Sequence, residues 1–179
     1  MPRLFVAIDL PDSLKAEISE LIAYGMPGVA WVDSKQLHLS LRFIGEVDEQ
    51  VLDQLITCLL KIHQQPFILK LKGVGTFPQG KSPRVIWAGV EKNDLLVQLH
   101  HKIEHQINSI GIKGEHRKFH PHVTMGRVKS NKIKRMGDYL AHYDLFRSEP
   151  FHVEYFSLFS SLLTPSGAKY TKEAEFSLK

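Results

Sequence analysis

The chain has 179 residues, 43% hydrophobic and 23% charged, with 12 glycines and 9 prolines scattered along it; this excludes collagen-like, coiled-coil and wholly disordered chains and suits one compact domain over residues 1–179. No stretch approaches the roughly 20 apolar residues of a bilayer span, Asp9 interrupts the first apolar run too early for a signal peptide, and Cys58 is the only cysteine, so a cytoplasmic protein without a disulfide framework or membrane partner is expected. Basic residues number 23 against 19 acidic, a net +4, which is too mild for a protein that coats nucleic acid by charge alone.

In chain order, Arg3–Leu10 reads as a strand. Pro11-Asp12-Ser13 opens a helix with Asp12 or Ser13 as N-cap, and Leu14, Ile18, Leu21 and Ile22 supply its apolar stripe. Trp31-Val32 is a short extended piece, and His38–Phe43 a strand. Gly45-Glu46-Val47 leads into a helix from about Asp48 to His63. Phe67, Leu69 and Leu71 alternate as in a strand, the glycine-rich run Gly73–Gly80 reads as a turn, and Pro83–Val90 as a buried strand carrying Trp87. A helix follows from Asp94 to about Ile110, closed by Gly111. Lys113–Phe119 is a basic loop, His122–Val128 a strand, Ile133–His142 a helix and Phe151–Ser161 a strand. Thr164-Pro165-Ser166-Gly167 turns into a last strand, about Lys169–Leu178. Strands and helices interleave throughout, with no linker or low-complexity tract.

Charge is concentrated between positions 113 and 135, where Lys113, Arg117, Lys118, Arg127, Lys129, Lys132, Lys134 and Arg135 face one acid, Glu115. Such a segment either attracts an anionic ligand or is a solvated basic surface. Histidine is abundant, with ten copies, and it is the side chain best suited to both acid and base work near neutral pH.

Two of these histidines open similar strands: His38-Leu39-Ser40-Leu41-Arg42-Phe43 and His122-Val123-Thr124-Met125-Gly126-Arg127. Residues i and i+2 of a strand share a face. His38 therefore sits with Ser40, and His122 with Thr124, while Leu39, Leu41, Val123 and Met125 turn to a core. One His-x-Ser in a strand carries nothing by itself; two in matching settings suggest a duplication and a paired site. Were the strands to meet across a cleft, two imidazoles, two hydroxyls and Arg127 would suit in-line displacement at phosphorus without a metal. One histidine would deprotonate the attacking water and the other protonate the leaving oxygen. The hydroxyls and Arg127 would hold the nonbridging oxygens.

His101-Lys102-Ile103-Glu104-His105 fits an inverted-zincin pattern. However, Leu96, Leu99, Ile103 and Ile107 define the opposite face of that helix, so His101 and His105 read as solvated residues and no metal site is expected. His120 reads as a loop residue before Pro121, with a lesser prospect of touching substrate. Arg42 reads as structural, pointing away from His38, and Trp31 and Trp87 as core. Phe5, Phe43 and Phe77 read as core too, unless one reaches the cleft and stacks on a base.

The paired motifs resemble the signatures of the 2H phosphoesterase superfamily, and within it the RNA 2′,3′-cyclic phosphodiesterases, also called 2′-5′ RNA ligases. The resemblance covers nearly the whole chain: Arg3–Ile8 is similar to the opening strand, Leu37–Val47 to the first signature with its Phe-Ile-Gly-Glu tail, Pro83–Val90 to a middle strand and Phe119–Arg127 to the second signature. It implies an α+β, bilobal fold with two antiparallel sheets lining a central cleft, helices outside and a pseudo-two-fold duplication. It also implies hydrolysis of RNA 2′,3′-cyclic phosphate ends to 2′-phosphomonoesters, reverse 2′-5′ ligation as a secondary reaction, no cofactor, and RNA 3′ ends or small cyclic nucleotides as partners of a monomer. By analogy His38 is the general acid, His122 the general base, and Ser40, Thr124 and Arg127 hold the phosphate. Ser40 stands where Thr is commoner, which loses the stiff β-branched rotamer but keeps the donor; Gly126 stands where Ala is frequent, which looks harmless. Two other readings stay open: a 2H enzyme for another cyclic phosphate or a 2′-5′ linked nucleotide, and an RNA-binding module without chemistry. The loops Thr76–Ser82 and Gly111–Phe119 are the candidates for selectivity.

Overall fold

A computed structural model describes residues 2–130 and 132–179. In chain order the elements are β1 (Arg3–Asp9), α1 (Asp12–Ala23), β2 (Val29–Trp31), a single 3-10 turn (Ser34–Gln36), β3 (His38–Glu46), α2 (Glu49–Leu59), β4 (Phe67–Leu69), β5 (Leu71–Phe77), β6 (Val85–Val90), α3 (Asp94–Ser109), β7 (His122–Val128), α4 (Met136–His142), β8 (Phe151–Val153), β9 (Tyr155–Thr164) and β10 (Gly167–Ser177). The strands lie in the order β10-β9-β1-β3-β7-β6-β5, with every neighbour antiparallel; β2 also pairs with β7, and β4 with β8 forms a separate ribbon.

The order is symmetric about its middle. β9-β1-β3 on one side corresponds to β5-β6-β7 on the other, with α1 between β1 and β3 and α3 between β6 and β7. The two antiparallel halves join through one residue pair, Leu39 with Val123, the second position of each histidine motif. Leu39, Leu41, Val123 and Met125 are buried in one core with Leu14, Ile18 and Leu21 of α1, Leu55 and Leu59 of α2, and Leu96, Leu99, Ile103 and Ile107 of α3. The helices thus cover the apolar face, and the face bearing His38, Ser40, His122 and Thr124 is left open.

Each motif strand carries a bulge at the same place. β1 pairs Ala7 with Ser40 and Val6 with Arg42, leaving Leu41 as the extra residue. β6 pairs Trp87 with Thr124 and Ile86 with Gly126, leaving Met125 extra. A bulge shifts the alternation of faces by one. Strict alternation would put Arg42 on the face of His38 and Ser40, so its expected turn away from His38 comes from the bulge and not from alternation; the bulge sends Arg42 inward, 4% exposed, and turns Phe43 outward. The same shift buries Gly126 and turns Arg127 to the open face.

Local differences from the sequence reading have identifiable causes. α1 begins at Asp12, so Asp12 and Ser13 are already helical; Pro11 is the N-cap and no side chain caps the helix. The run Gly73–Phe77 is strand β5 rather than a turn. Gly75 is required there because a Cβ would stand 2.3 Å from the Trp87 ring that lies across it. The alternating Phe67, Leu69 and Leu71 belong to two strands: Phe67 and Leu69 pair with β8, whereas Leu71 pairs with Val90 of β6. The single strand expected over Phe151–Ser161 likewise divides at Glu154, with β8 going to β4 and β9 to β10 and β1.

Candidate active site

The two histidines are oriented by the same device. His38 Nδ1 lies 2.7 Å from the Gln36 carbonyl, and His122 Nδ1 lies 2.6 Å from the His120 carbonyl. A carbonyl only accepts, so each Nδ1 carries the proton and donates it, and each Nε2 is left for chemistry. His38 Nε2 is 3.0 Å from Ser40 Oγ. Antiparallel counting from the Leu39–Val123 pair sets Ser40 across from His122 and His38 across from Thr124. Extended by one step, that register sets each imidazole opposite the other motif's hydroxyl, and His38 also meets its own.

Both rings sit among aromatics. Phe5 and Tyr170 lie 5.0 and 5.5 Å from His38, and Phe77 lies 5.0 Å from His122. Burial pushes the His38 pKa below the ordinary imidazole value. The Gln36 carbonyl and Asp9 oppose that shift, while His122 and Arg127 add to it. Burial also lowers the His122 pKa, against the pull of the His120 carbonyl and with a further push from His120 and Arg127.

Ser40, His122, Thr124 and Arg127 line one cavity of about 790 Å³, together with Phe43, Arg84, Arg117 and Lys118. The His38 ring lies instead on an adjoining pocket of about 230 Å³ formed with Phe5, Asp9, Phe159, Tyr170 and Lys172. Its Nε2 reaches the larger cavity through Ser40. All five residues expected at the site are thus assembled around the β3–β7 seam. Arg127 gets there through the Met125 bulge, and its backbone is held by Ala30 on one side and Val85 on the other. His120 lines the cavity too. Gly126 is matched to its neighbour: a Cβ there would stand 2.8 Å from the Trp31 ring and 2.9 Å from Val29 Cγ1.

The basic segment divides between two roles. Arg117, Lys118 and Arg127 face the cavity, whereas Arg135 lies over the Tyr24 ring at 4.8 Å and donates to its hydroxyl at 3.0 Å. Arg42 holds the loop that carries Arg117 and Lys118. Its Nε is 2.8 Å from Glu104 Oε1 of α3, its Nη1 is 3.9 Å from Glu115 Oε2, and its Nη2 donates to the Lys113 carbonyl. Beside it, His100 stacks face to face on Phe119 at 3.9 Å. Burial, with the charges of His101 and Arg42, lowers the His100 pKa to about 4, so this stack holds a neutral ring at physiological pH. Glu104 is thereby committed to Arg42, and His101 and His105 are exposed. Among the described residues no group of three or more His, Cys, Asp or Glu side chains is placed to hold a metal ion, nor is any helix long and apolar enough to cross a membrane.

The family model for the 2′-5′ RNA ligase superfamily matches residues 10–161. The chain belongs to that superfamily. It is 39% identical over 171 residues to the RNA 2′,3′-cyclic phosphodiesterase of Methanocaldococcus jannaschii, covering 94% of this chain and 96% of that one. The fold matches a crystal structure of a Thermus thermophilus protein with a TM-score of 0.85, at 29% identity over 98% of this chain and 97% of the other. It also matches E. coli LigT complexed with 3′-AMP, with a TM-score of 0.83 at 28% identity over 100% and 99% of the two chains. The bilobal α+β architecture that the resemblance implied is therefore that of the superfamily. Sequence reasoning missed the two orienting carbonyls, the cavity-lining Arg84 and the reach of Arg42; Phe43, read as core unless it reached the cleft, lines the cavity.

Proposed function

We propose that this protein hydrolyses RNA 2′,3′-cyclic phosphate ends to 2′-phosphomonoesters, with His38 and His122 as an acid–base pair. The observation that carries the reading is the matched pair of imidazoles, each with Nδ1 tied to a carbonyl and Nε2 left for chemistry, that of His38 meeting Ser40 Oγ. The name of the M. jannaschii relative and the 3′-AMP complex of LigT support the substrate class.

In this mechanism the cyclic phosphate sits between β3 and β7. Water gives a proton to His122 Nε2 as its oxygen attacks phosphorus. The bond to O3′ breaks on the opposite side, and O3′ takes the proton from His38 Nε2. Ser40, Thr124 and Arg127 donate to the nonbridging oxygens, where charge accumulates. Proton transfer between the histidines through solvent restores the starting state. A 5′-hydroxyl in place of water would run the same path to a 2′-5′ linkage. The strained five-membered ring favours hydrolysis, because opening it relieves the strain and water is abundant. The proposed enzyme works as a cytoplasmic monomer of one bilobal domain, on RNA ends or small cyclic nucleotides, with no cofactor.

The decisive assay follows a 2′,3′-cyclic nucleotide and a short RNA ending in that group, in EDTA, with wild type, His38→Ala and His122→Ala. Metal-independent formation of a 2′-phosphate, reduced about 10²–10⁴-fold in each variant, is the expected result. No turnover by folded wild-type protein, or full activity in either variant, would refute the mechanism. RNA binding without turnover would favour the binding-module reading.

A further inference from the structure

The two half-sites differ in what stands across from each histidine. In the β1–β3 pair Asp9 is the partner of His38, and in the β6–β7 pair Gly89 is the partner of His122. Ala7 faces Ser40 as Trp87 faces Thr124, so Asp9 and Gly89 hold equivalent positions. Directly paired residues of an antiparallel sheet present their side chains on one face. The first half therefore sets a carboxylate beside its imidazole, and the second sets none. A side chain is excluded from the second, because a Cβ on Gly89 would stand 2.4 Å from the Lys72 carbonyl oxygen.

Asp9 is held where it can act on the ring. It lines the pocket of about 230 Å³ on which His38 lies, and among the described residues it is the one carboxylate there. Its Oδ1 accepts the Leu10 N–H at 3.0 Å and lies 3.4 Å from Lys15 Nζ of α1. Lys172 Nζ of β10 is 3.8 Å from Oδ2 but 2.9 Å from Glu175 Oε2. That cation is shared, so Asp9 keeps charge to spare for its surroundings. The remaining charged or titratable groups around His38 are Lys35 from the 3-10 turn, Tyr170 from β10, and His122 and Arg127 from β7. None of these is an anion at neutral pH, and burial also works against a charged imidazole. The proton that the acid must carry is therefore supported by two groups, the Gln36 carbonyl and Asp9. His122 has only the first kind of support, the His120 carbonyl, against the charges of His120 and Arg127.

We propose that Asp9 is a positioning residue for the general acid: its carboxylate, across from His38, keeps that imidazole loaded with the proton that O3′ receives. This deepens the hydrolytic reading and rests on its acid–base pair. No bond to Asp9 forms or breaks. The proton passes from His38 Nε2 to O3′, and the carboxylate favours the charged ring when solvent returns a proton to Nε2. Gly89, with no side chain, leaves His122 to stay neutral, as a base must be. The duplicated scaffold thus gives two matching histidines different roles through one cross-strand position.

The test is Asp9→Asn, which keeps the shape and an acceptor for the Leu10 N–H but removes the charge. Asp9→Ser, which also offers that acceptor, is the second neutral variant should the first fold poorly. The imidazole resonances of His38 and His122 are followed by NMR as pH is varied, with His38→Gln to assign them. Without the carboxylate the imidazolium gives up its proton at lower pH. The His38 midpoint should therefore fall by about one pH unit, the low end for an opposite charge at close range, because Lys15 and Lys172 share it. The His122 midpoint should move far less. In turnover of a 2′,3′-cyclic nucleotide the alkaline limb of kcat/KM should move down by the same amount, a loss of about tenfold above it, and Asp9→Glu should recover most of it. A merely structural Asp9 would lower Tm, or scale the rate alike at every pH, and move neither midpoint. That outcome in the folded neutral variants would overturn the proposal, as would an equal fall at His122. If wild type hydrolysed no cyclic phosphate, the hydrolytic reading would fail, while the His38 midpoint would still decide whether Asp9 sustains the charged ring.

Discussion

Although His38 and His122 share a backbone device, the charges around them make them answer to each other. Both pKa values are lowered chiefly by burial, and Arg127 lowers each further. A lowered imidazole pKa means that the proton is lost at a lower pH than usual. The proposed acid must hold its proton, so kcat/KM should fall as pH rises through the upper apparent pKa. The proposed base must be neutral, so the rate should also fall as pH drops through the lower one. Interacting histidines titrate as a pair, and both limbs of the resulting bell should lie on the acid side of free histidine. Removing a nearby cation relieves repulsion of the imidazolium, so Arg127→Gln should move both limbs to higher pH while weakening phosphate binding. The check is the pH dependence of kcat/KM for wild type and this variant. A flat profile from about pH 5 to 9, a window that brackets the ordinary imidazole value, would contradict the pair.

At the scale of elements, Arg42 is a tie between β3, α3 and the loop over residues 113–119. It is nearly inaccessible, and its ion pair with Glu104 spans 2.8 Å. Arg42→Ala would leave Glu104 without its partner in a largely buried place, at a cost of about 3–5 kcal/mol. For a chain of this size that corresponds to a fall in Tm of roughly 10 °C. The loop carries Arg117 and Lys118 to the cavity, so at temperatures where the variant stays folded KM for RNA should rise more than kcat falls. Arg42→Lys should rescue little, because an ammonium cannot reach Glu104 and the Lys113 carbonyl with one planar fork. Calorimetry and steady-state kinetics on both variants check this; an unaltered Tm in Arg42→Ala would show that the tie is not structural. This connection also shows where the sequence ceased to be legible. The motif alternation located His38, Ser40, His122 and Thr124 without a structure, since it is local. The outward turn of Arg127, placed at the site by its nearness to His122 and by the resemblance, depends on a bulge that no pattern within β7 announces. Buried alternation runs unbroken through Phe67, Leu69 and Leu71, and nothing in it says that the partner strand changes at Lys70. The glycine-rich β5 reads as a turn until Trp87, supplied by the neighbouring strand, is seen to occupy the space above Gly75.

Over the whole molecule, the modest net charge of +4 conceals an uneven distribution. Arg84, Arg117, Lys118 and Arg127 share the large cavity with one carboxylate, Glu115, which is itself 3.9 Å from Arg42. The cavity is far larger than one phosphate needs, and it opens where the two half-sheets diverge from the Leu39–Val123 pair. Its cations come from different parts of the chain: Arg84 precedes β6, Arg127 lies on β7, and Arg117 and Lys118 sit on the tied loop. Such a spread is suited to an oligonucleotide whose upstream phosphates continue past the reacting end. Counterion release then sets the salt dependence, with a slope of about −0.7 in log–log form for each single-strand phosphate neutralised. A mononucleotide 2′,3′-cyclic phosphate engages one phosphate; a trinucleotide with the same end offers two more. Plotted against log salt, log(kcat/KM) for the trinucleotide should therefore be steeper by about 0.7 to 1.4. Arg117→Gln combined with Lys118→Gln should bring its slope toward the mononucleotide's, with the mononucleotide's own slope altered less. Equal slopes for both substrates in wild type would mean that the cationic wall receives no upstream phosphate, and that the enzyme recognises only the terminal nucleotide.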